Sequence, residues 1–336
     1  MMKNVIALVI ACSAIPAFAI DEADFEAAWQ QKVRPWFTDS RKVGELRAAD
    51  GLVLRWFAIE SANERASLVV LPGWTEKGES FAEELYDLRD LGMSFYVLEQ
   101  RCQGLSGGEI EPRDRYYVKD WRSYLSDIQL FVEKAVQSRP HRRIILYGNS
   151  MGGAMAAVFL ARNPGAAQAL VMTVPMFGVR TEPLPEFAVT ATARLFILFG
   201  RGAAYLPGYG PYKSEPWEGN SWSITSRARY EHLARLDESR TEYQLGGVTA
   251  RGGLELVRLS RAAQAAAAKI AVPALLVQTG MDTMVRNEAQ DRAVRVMRDC
   301  RKVVVPQAHH VVMHETDAVR AQALGAIRSF LEEQAR

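Results

Sequence analysis

Cysteine is scarce in this chain: 336 residues hold three, and one of them, Cys12, falls in an apolar run near the N-terminus. Cys102 and Cys300 are too few for a disulfide framework, and their expected places at opposite ends of their strands keep them apart. An excess of charge of one sign is missing too. Against 41 Lys and Arg stand 39 Asp and Glu, scattered along the whole length, which excludes the basic stripe of a nucleic-acid-binding protein. No fixed internal repeat is present, so a solenoid or propeller is excluded. Histidine is rare: of five residues, three (His309, His310 and His314) fall in one segment. No carboxylate–histidine spacing of the zinc-hydrolase kind accompanies them, so no metal is expected.

A long apolar run is also lacking, with one short exception. Lys3 precedes the stretch Val5 to Phe18, and Ala17-Phe18-Ala19 places small residues where a signal peptidase reads. The run is shorter than the roughly 20 apolar residues that span a bilayer, and Pro16 interrupts it. Residues 1–19 are therefore expected to be a signal peptide, making the mature protein, residues 20–336, periplasmic or secreted. A second reading takes Val9-Ile10-Ala11-Cys12 as a loose lipoprotein box with Cys12 acylated.

Past an amphipathic opening segment, Glu22 to Phe37, two apolar runs (Leu46 to Ala49 and Leu52 to Ile59) flank Asp50-Gly51 and predict a β-hairpin. Six short runs rich in β-branched residues follow: Ser67 to Leu71, Ser94 to Leu98, Arg143 to Tyr147, Ala169 to Val174, Pro273 to Gln278 and Lys302 to Val305. These read as buried parallel strands. Helical patterns alternate with them at Glu79 to Leu91, Trp121 to Gln137, Met151 to Arg162, Asn287 to Arg298 and Ala318 to Ala335. The expectation is an α/β fold, a mostly parallel doubly wound sheet entered through an antiparallel hairpin. Between Met176 and Ile270 the alternation stops, which predicts a mainly helical insertion, about residues 177–270, over one end of the sheet, with the strands on either side of it as neighbours.

The stretch Gly148-Asn149-Ser150-Met151-Gly152 follows a predicted strand and opens a predicted helix. That is the setting of the G-x-S-x-G nucleophile elbow, in which flanking glycines let a sharp turn hold the serine above the sheet edge. The turn also aims the free N–H groups of the next helix at any oxyanion forming beside the serine. By chance the same pattern arises from tight strand-to-helix packing, so the rest of the chain decides. A serine nucleophile needs a base and an orienting acid, in chain order Ser, acid, His. The loop Thr279 to Asp282 offers an acid, and Gln307-Ala308-His309-His310 offers two imidazoles, each after a late parallel strand. Spacing does not choose between the two histidines. His141 and His232 read as surface residues.

The stretches LPGWTEKGESFAEELYDL, EQRCQGLSGG, YGNSMGGAMA, VPMFGV and AHHVVMHETDAVR resemble an α/β hydrolase of the lysophospholipase and monoacylglycerol-lipase branch, also labelled serine-aminopeptidase-like. Within it, bacterial envelope lysophospholipases are the nearest in pattern. The likeness runs from about Val53 to the C-terminus. It implies Ser150 as nucleophile, Asp282 as acid and His310 as base, with His309 as the alternate base. It also implies an oxyanion hole made by the backbone N–H groups of Met151 and Trp74, and no metal or organic cofactor. Pro72 stands where many relatives have histidine, and Glu76 is expected to brace the Trp74 loop. Glu99 for Asp and Cys102 for Gly depart from the family phrase and put the shape of their loop in question. Cys102 itself reads as a buried, inert thiol.

The insertion carries Phe187, Leu195, Phe196, Ile197, Leu198 and Phe199. Such a set either packs the insertion onto the main domain or, in part, offers an acyl chain an apolar surface. Arg194, Arg201 and Lys213 flank it as candidate phosphate ligands or a solvated rim, while Glu215 and Glu218 are the acids a peptide-cleaving relative would need for an amino terminus. The expected activity is hydrolysis of the carboxylic ester of a single-acyl lipid, lysophospholipid or monoacylglycerol, at or near a membrane surface. The alternatives are an acyltransferase, a serine aminopeptidase and an inactive lipid-binding relative.

Overall fold

In the computed structural model, which describes residues 20–138, 140, 143–220 and 223–336, eight strands form one sheet. They are β1 (Arg41–Arg47), β2 (Val53–Ile59), β3 (Ala66–Leu71), β4 (Met93–Leu98), β5 (Ile144–Asn149), β6 (Ala169–Thr173), β7 (Ala274–Thr279) and β8 (Cys300–Val305). Their order is β1-β2-β4-β3-β5-β6-β7-β8. β2 runs antiparallel to both β1 and β4, and every other pairing is parallel. This is the expected α/β architecture, entered through the expected hairpin. The expected leader, Cys12 and His141 lie outside the described residues.

The period-2 alternation of side chains sorts the sheet's apolar residues into two cores. Val69, Leu71, Leu146, Leu170 and Leu276 face one side, under the helices Arg122–Lys134, Met151–Arg162, Ala250–Ala266 and Asn287–Val296. Leu68, Val70, Ile145, Val171 and Leu275 face the other, under Ala82–Asp87, Asp317–Gln334 and the opening helical segment. In that opening segment Phe25, Trp29, Val33 and Phe37 recur every fourth residue and are all buried, the single stripe an amphipathic helix presents to a core.

Two predicted elements differ from those observed. β1 begins at Arg41 rather than Leu46, because this edge strand is half-exposed and carries Lys42 and Glu45 where an apolar run would announce a strand. The helix read over Glu79 to Leu91 is three pieces, Gly78–Phe81, Ala82–Asp87 and Arg89–Leu91, the last stopped by Gly92 at φ +67°.

Between β6 and β7, which are neighbours in the sheet as expected, the chain forms the helices Glu186–Leu198, Arg227–Glu238 and Ala250–Ala266. Glu186–Leu198 packs on Ala250–Ala266 around a small core of Ala193, Leu206, Ala250 and Leu254. Its outer side is apolar and open to solvent, with Phe187 73%, Leu198 76% and Phe199 75% exposed. No helix among the described residues is long and apolar enough to cross a membrane.

Candidate active site

Ser150 caps the helix Met151–Arg162 directly after β5, with φ +48° and ψ −111°. A non-glycine residue there is strained, and the surroundings hold it. Its N–H donates to Thr173 O (2.9 Å), and its carbonyl accepts from Met176 N (2.9 Å). The flanking glycines are required by space: a Cβ on Gly152 would lie 1.8 Å from Leu71 O, and one on Gly148 would lie 2.5 Å from Gly152 backbone atoms.

The loops after β7 and β8 bring two more side chains to this turn. Ser150 Oγ lies 2.9 Å from His310 Nε2, and His310 Nδ1 lies 2.8 Å from Asp282 Oδ2. Asp282 Oδ1 accepts from the N–H groups of Met284 (2.8 Å) and Val285 (2.9 Å), and Thr279 Oγ1 donates to Oδ2 (3.2 Å). Burial pushes the Asp282 carboxyl up, but His310 and the two backbone donors outweigh it and hold the group below its ordinary value. Such a chain can take the hydroxyl proton as the oxygen attacks a carbonyl. The neighbouring imidazole is turned away. Glu315 accepts from the backbone N–H of His309 (2.6 Å) and lies 3.1 Å from its Nδ1, so of the two histidines that spacing left open, His310 meets the serine.

Gly73 approaches Ser150 closely, with a Cβ there falling 3.2 Å from Ser150 Cβ. Trp74 is next, in a turn where Thr75 has φ +68°. Glu76 holds the turn, one carboxylate oxygen accepting from Gly73 N and the other from Asn149 Nδ2 (2.7 Å). Two glutamines that sequence reasoning did not single out hold it from the other side. Gln103 Nε2 donates to Gly73 O (2.7 Å) and Glu76 O (3.0 Å), its Oε1 accepts from Thr75 N (3.3 Å), and Gln100 Nε2 donates to Pro72 O. The signal was present, since both lie in the quoted phrase EQRCQGLSGG, but side-chain amides carry no periodicity to mark them. Met151, as the first helical residue, leaves its N–H without an intrahelical partner. Tyr116, fully buried, touches both residues of the expected oxyanion hole: its ring packs edge-on to Trp74 (5.9 Å), and its hydroxyl reaches Met151 Sδ (3.5 Å).

The loop left in question by Glu99 and Cys102 is well tied. Glu99 accepts from Gly78 N (3.0 Å) and Leu105 N (2.8 Å), and burial raises its carboxyl to about 7. Cys102 takes φ +65°, a conformation suited to the glycine of the family phrase, and its thiol donates to Tyr117 O (2.9 Å). Burial pushes that thiol up to about 12, the inert state expected of it. His232 departs from expectation: it is tucked against Trp29 (4.0 Å between ring centres) and Phe25 rather than lying at the surface, and burial lowers it to about 4.

A cavity of about 640 Å³ opens onto Ser150 and His310. Its lining includes an apolar set, with Val179, Leu184, Val189, Leu206, Leu256 and Val257, and a polar set of Lys77, Ser80, Asp237 and His314 joined by mutual contacts. Arg194, Arg201 and Lys213 are exposed and do not border it, and Glu215 and Glu218 line a separate surface groove with Trp217 and Tyr230.

The fold is that of the α/β hydrolases. Residues 62–317 match the family described as serine aminopeptidase, S33, and the chain belongs to that family. Among curated relatives it is similar to lysophospholipase L2 of Escherichia coli strain K12, 29% identical over 304 residues covering 88% of each chain, and to human monoglyceride lipase, 24% identical over 75% of this chain and 80% of that one. Among solved structures, a soluble variant of the Saccharomyces cerevisiae monoglyceride lipase with a substrate analog superposes with TM-score 0.67 at 16% identity, covering 87% of this chain and 96% of that one. A carboxyl esterase from Bacillus coagulans with glycerol gives 0.70 at 13%, covering 88% and 99%.

Proposed function

We propose that this protein is a serine hydrolase that cleaves the carboxylic ester of single-acyl lipids, lysophospholipid foremost and monoacylglycerol beside it. Ser150 attacks the ester carbonyl while His310 takes its proton, and Asp282 orients the imidazole and balances its charge. The N–H groups of Met151 and Trp74 receive the oxyanion, a contribution of roughly 3–4 kcal/mol per donor. His310 then protonates the departing alcohol, and water releases the fatty acid by the same steps in reverse.

The observation that carries this reading is the hydrogen-bonded chain from Ser150 through His310 to Asp282 at the edge of a cavity with an apolar side. An acyl chain laid along that side gains about 0.8 kcal/mol per buried methylene. Its relatives' names, lysophospholipase L2 and monoglyceride lipase, support the same substrate class. The segment between β6 and β7 acts as a lid. Its exposed Phe187, Leu198 and Phe199 rest on a lipid surface, while Val189 of the helix Glu186–Leu198 lines the cavity. Export, with removal of residues 1–19, brings the enzyme to envelope or extracellular lipid.

The test is fatty-acid release from lysophosphatidylethanolamine and monoacylglycerol by the wild type and Ser150→Ala. Release by the wild type and its loss in the variant are expected. Equal release by both, or release from neither lipid, would refute the assignment.

A further inference from the structure

The polar set of the cavity lining is tied together by mutual contacts, and hydrolysis of an ester does not require it. Lys77 is 5% exposed and forms an ion pair with Asp237, which reaches it from the helix Arg227–Glu238. Ser80 Oγ donates to Lys77 O, and Ser80 O in turn accepts from His314 Nε2 (3.1 Å). A carbonyl only accepts, so Nε2 carries the proton, and burial lowers His314 to about 4, which leaves the ring neutral. Its Nδ1 is then a lone-pair acceptor, buried and without a partner. Burial also brings Lys77 down to about 8, with Glu76, Glu99 and Glu79 opposing the fall, so the ammonium persists at neutral pH. One wall thus presents a cation, an anion and a free acceptor.

This wall continues the one that bears His310. Val311 and His314 follow it in the chain and line the same cavity, and the alcohol protonated by His310 must leave on that side. Resting on the ester-hydrolase reading above, we infer that Lys77, Asp237 and His314 form a headgroup subsite for a zwitterionic phosphodiester. The phosphate sits against the Lys77 ammonium, and the headgroup ammonium sits against Asp237 and His314 Nδ1. The pair closes on itself when the site is empty and opens onto a ligand carrying the opposite arrangement of charges, so neither charge is buried alone. A neutral glycerol headgroup satisfies neither ion, and the subsite therefore ranks phospholipid above monoacylglycerol. A second cation, Arg180, stands exposed at the mouth with its Nε donating to Val285 O (3.1 Å), outside this wall.

The experiment compares kcat/KM of the wild type, Lys77→Met and Asp237→Asn on three esters with one acyl chain: lysophosphatidylethanolamine, lysophosphatidylglycerol and monoacylglycerol, all in the same mixed micelles. Lys77→Met is expected to lower the ratio of either phospholipid to monoacylglycerol by about tenfold or more. Asp237→Asn is expected to lower lysophosphatidylethanolamine relative to lysophosphatidylglycerol, since only the former carries an ammonium. A loss of equal size on all three esters would mark the ion pair as structural and overturn the inference, as would ratios that do not move. Wild-type turnover of none of the three would instead overturn the ester-hydrolase reading, and the inference with it.

Discussion

Around Ser150 the backbone leaves no room, whereas the helix Glu186–Leu198 at the far side of the same cavity turns three large apolar side chains toward solvent. The first region is held by main-chain bonds, by Glu76 and by two glutamines. The second rests on a core of four buried residues. The contrast separates two tasks: charge developing on an oxyanion demands donors fixed to a few tenths of an ångström, while admitting a flexible acyl chain demands apolar surface and tolerance. The two regions meet at Tyr116. Its side chain contacts Trp74 and Met151, and its backbone bonds to Gly247 and Thr249 of the inserted segment.

Breaking the tight region is expected to cost most. Ser150→Ala lowers kcat by about 10⁶-fold, measured by fatty-acid release, with the fold unchanged by circular dichroism. Gly152→Ala forces a methyl against Leu71 O and destabilises the protein by ~3 kcal/mol or more, read from denaturant unfolding. Gln103→Ala keeps the nucleophile but frees the loop that carries Trp74. It lowers kcat by about 10- to 100-fold with little change in KM, the split expected when an interaction matters mainly in the transition state.

Changes in the loose region act on substrate delivery. Replacing Phe187, Leu198 and Phe199 together by Ser lowers turnover of lysolipid presented in vesicles relative to a short soluble ester by about tenfold, measured as the ratio of the two rates. An equal ratio in variant and wild type would show that the helix Glu186–Leu198 does not meet lipid. The smallest effect concerns stability against pH. Burial raises Glu84 to about 8, so the folded state favours its neutral form, while in the unfolded chain it ionises at its ordinary value near 4.5. The folded state therefore binds more protons between these values, and this group's cost to stability grows as pH rises from about 5 to 8. Glu84→Gln removes it, so the gain in Tm over the wild type should be larger at pH 8 than at pH 5.

What the sequence made legible follows the same division. The buried parallel strands and the serine turn were readable because apolar runs and glycines at fixed spacing are local signals; β5 and the helix Met151–Arg162 lie where the pattern placed them. The edge strand β1 was misplaced because half its residues face water. Contacts made across the chain were hidden. Nothing local marks Gln103 as a clasp on the Trp74 turn, or Glu315 as the carboxylate that turns His309 away from Ser150. Arg229, among the charged residues of the helix Arg227–Glu238, is fully buried between Glu83 and Asp317, residues far from it in the chain.

In the proposed mechanism an acyl group passes through Ser150. Acid-quenching the wild-type protein during turnover of lysophosphatidylethanolamine and mapping its peptides by mass tests this directly. The expected result is a gain equal to the mass of the fatty acid less one water on the peptide containing Ser150, absent in Ser150→Ala. Turnover with no adduct at Ser150, or with the adduct on another residue, would contradict it.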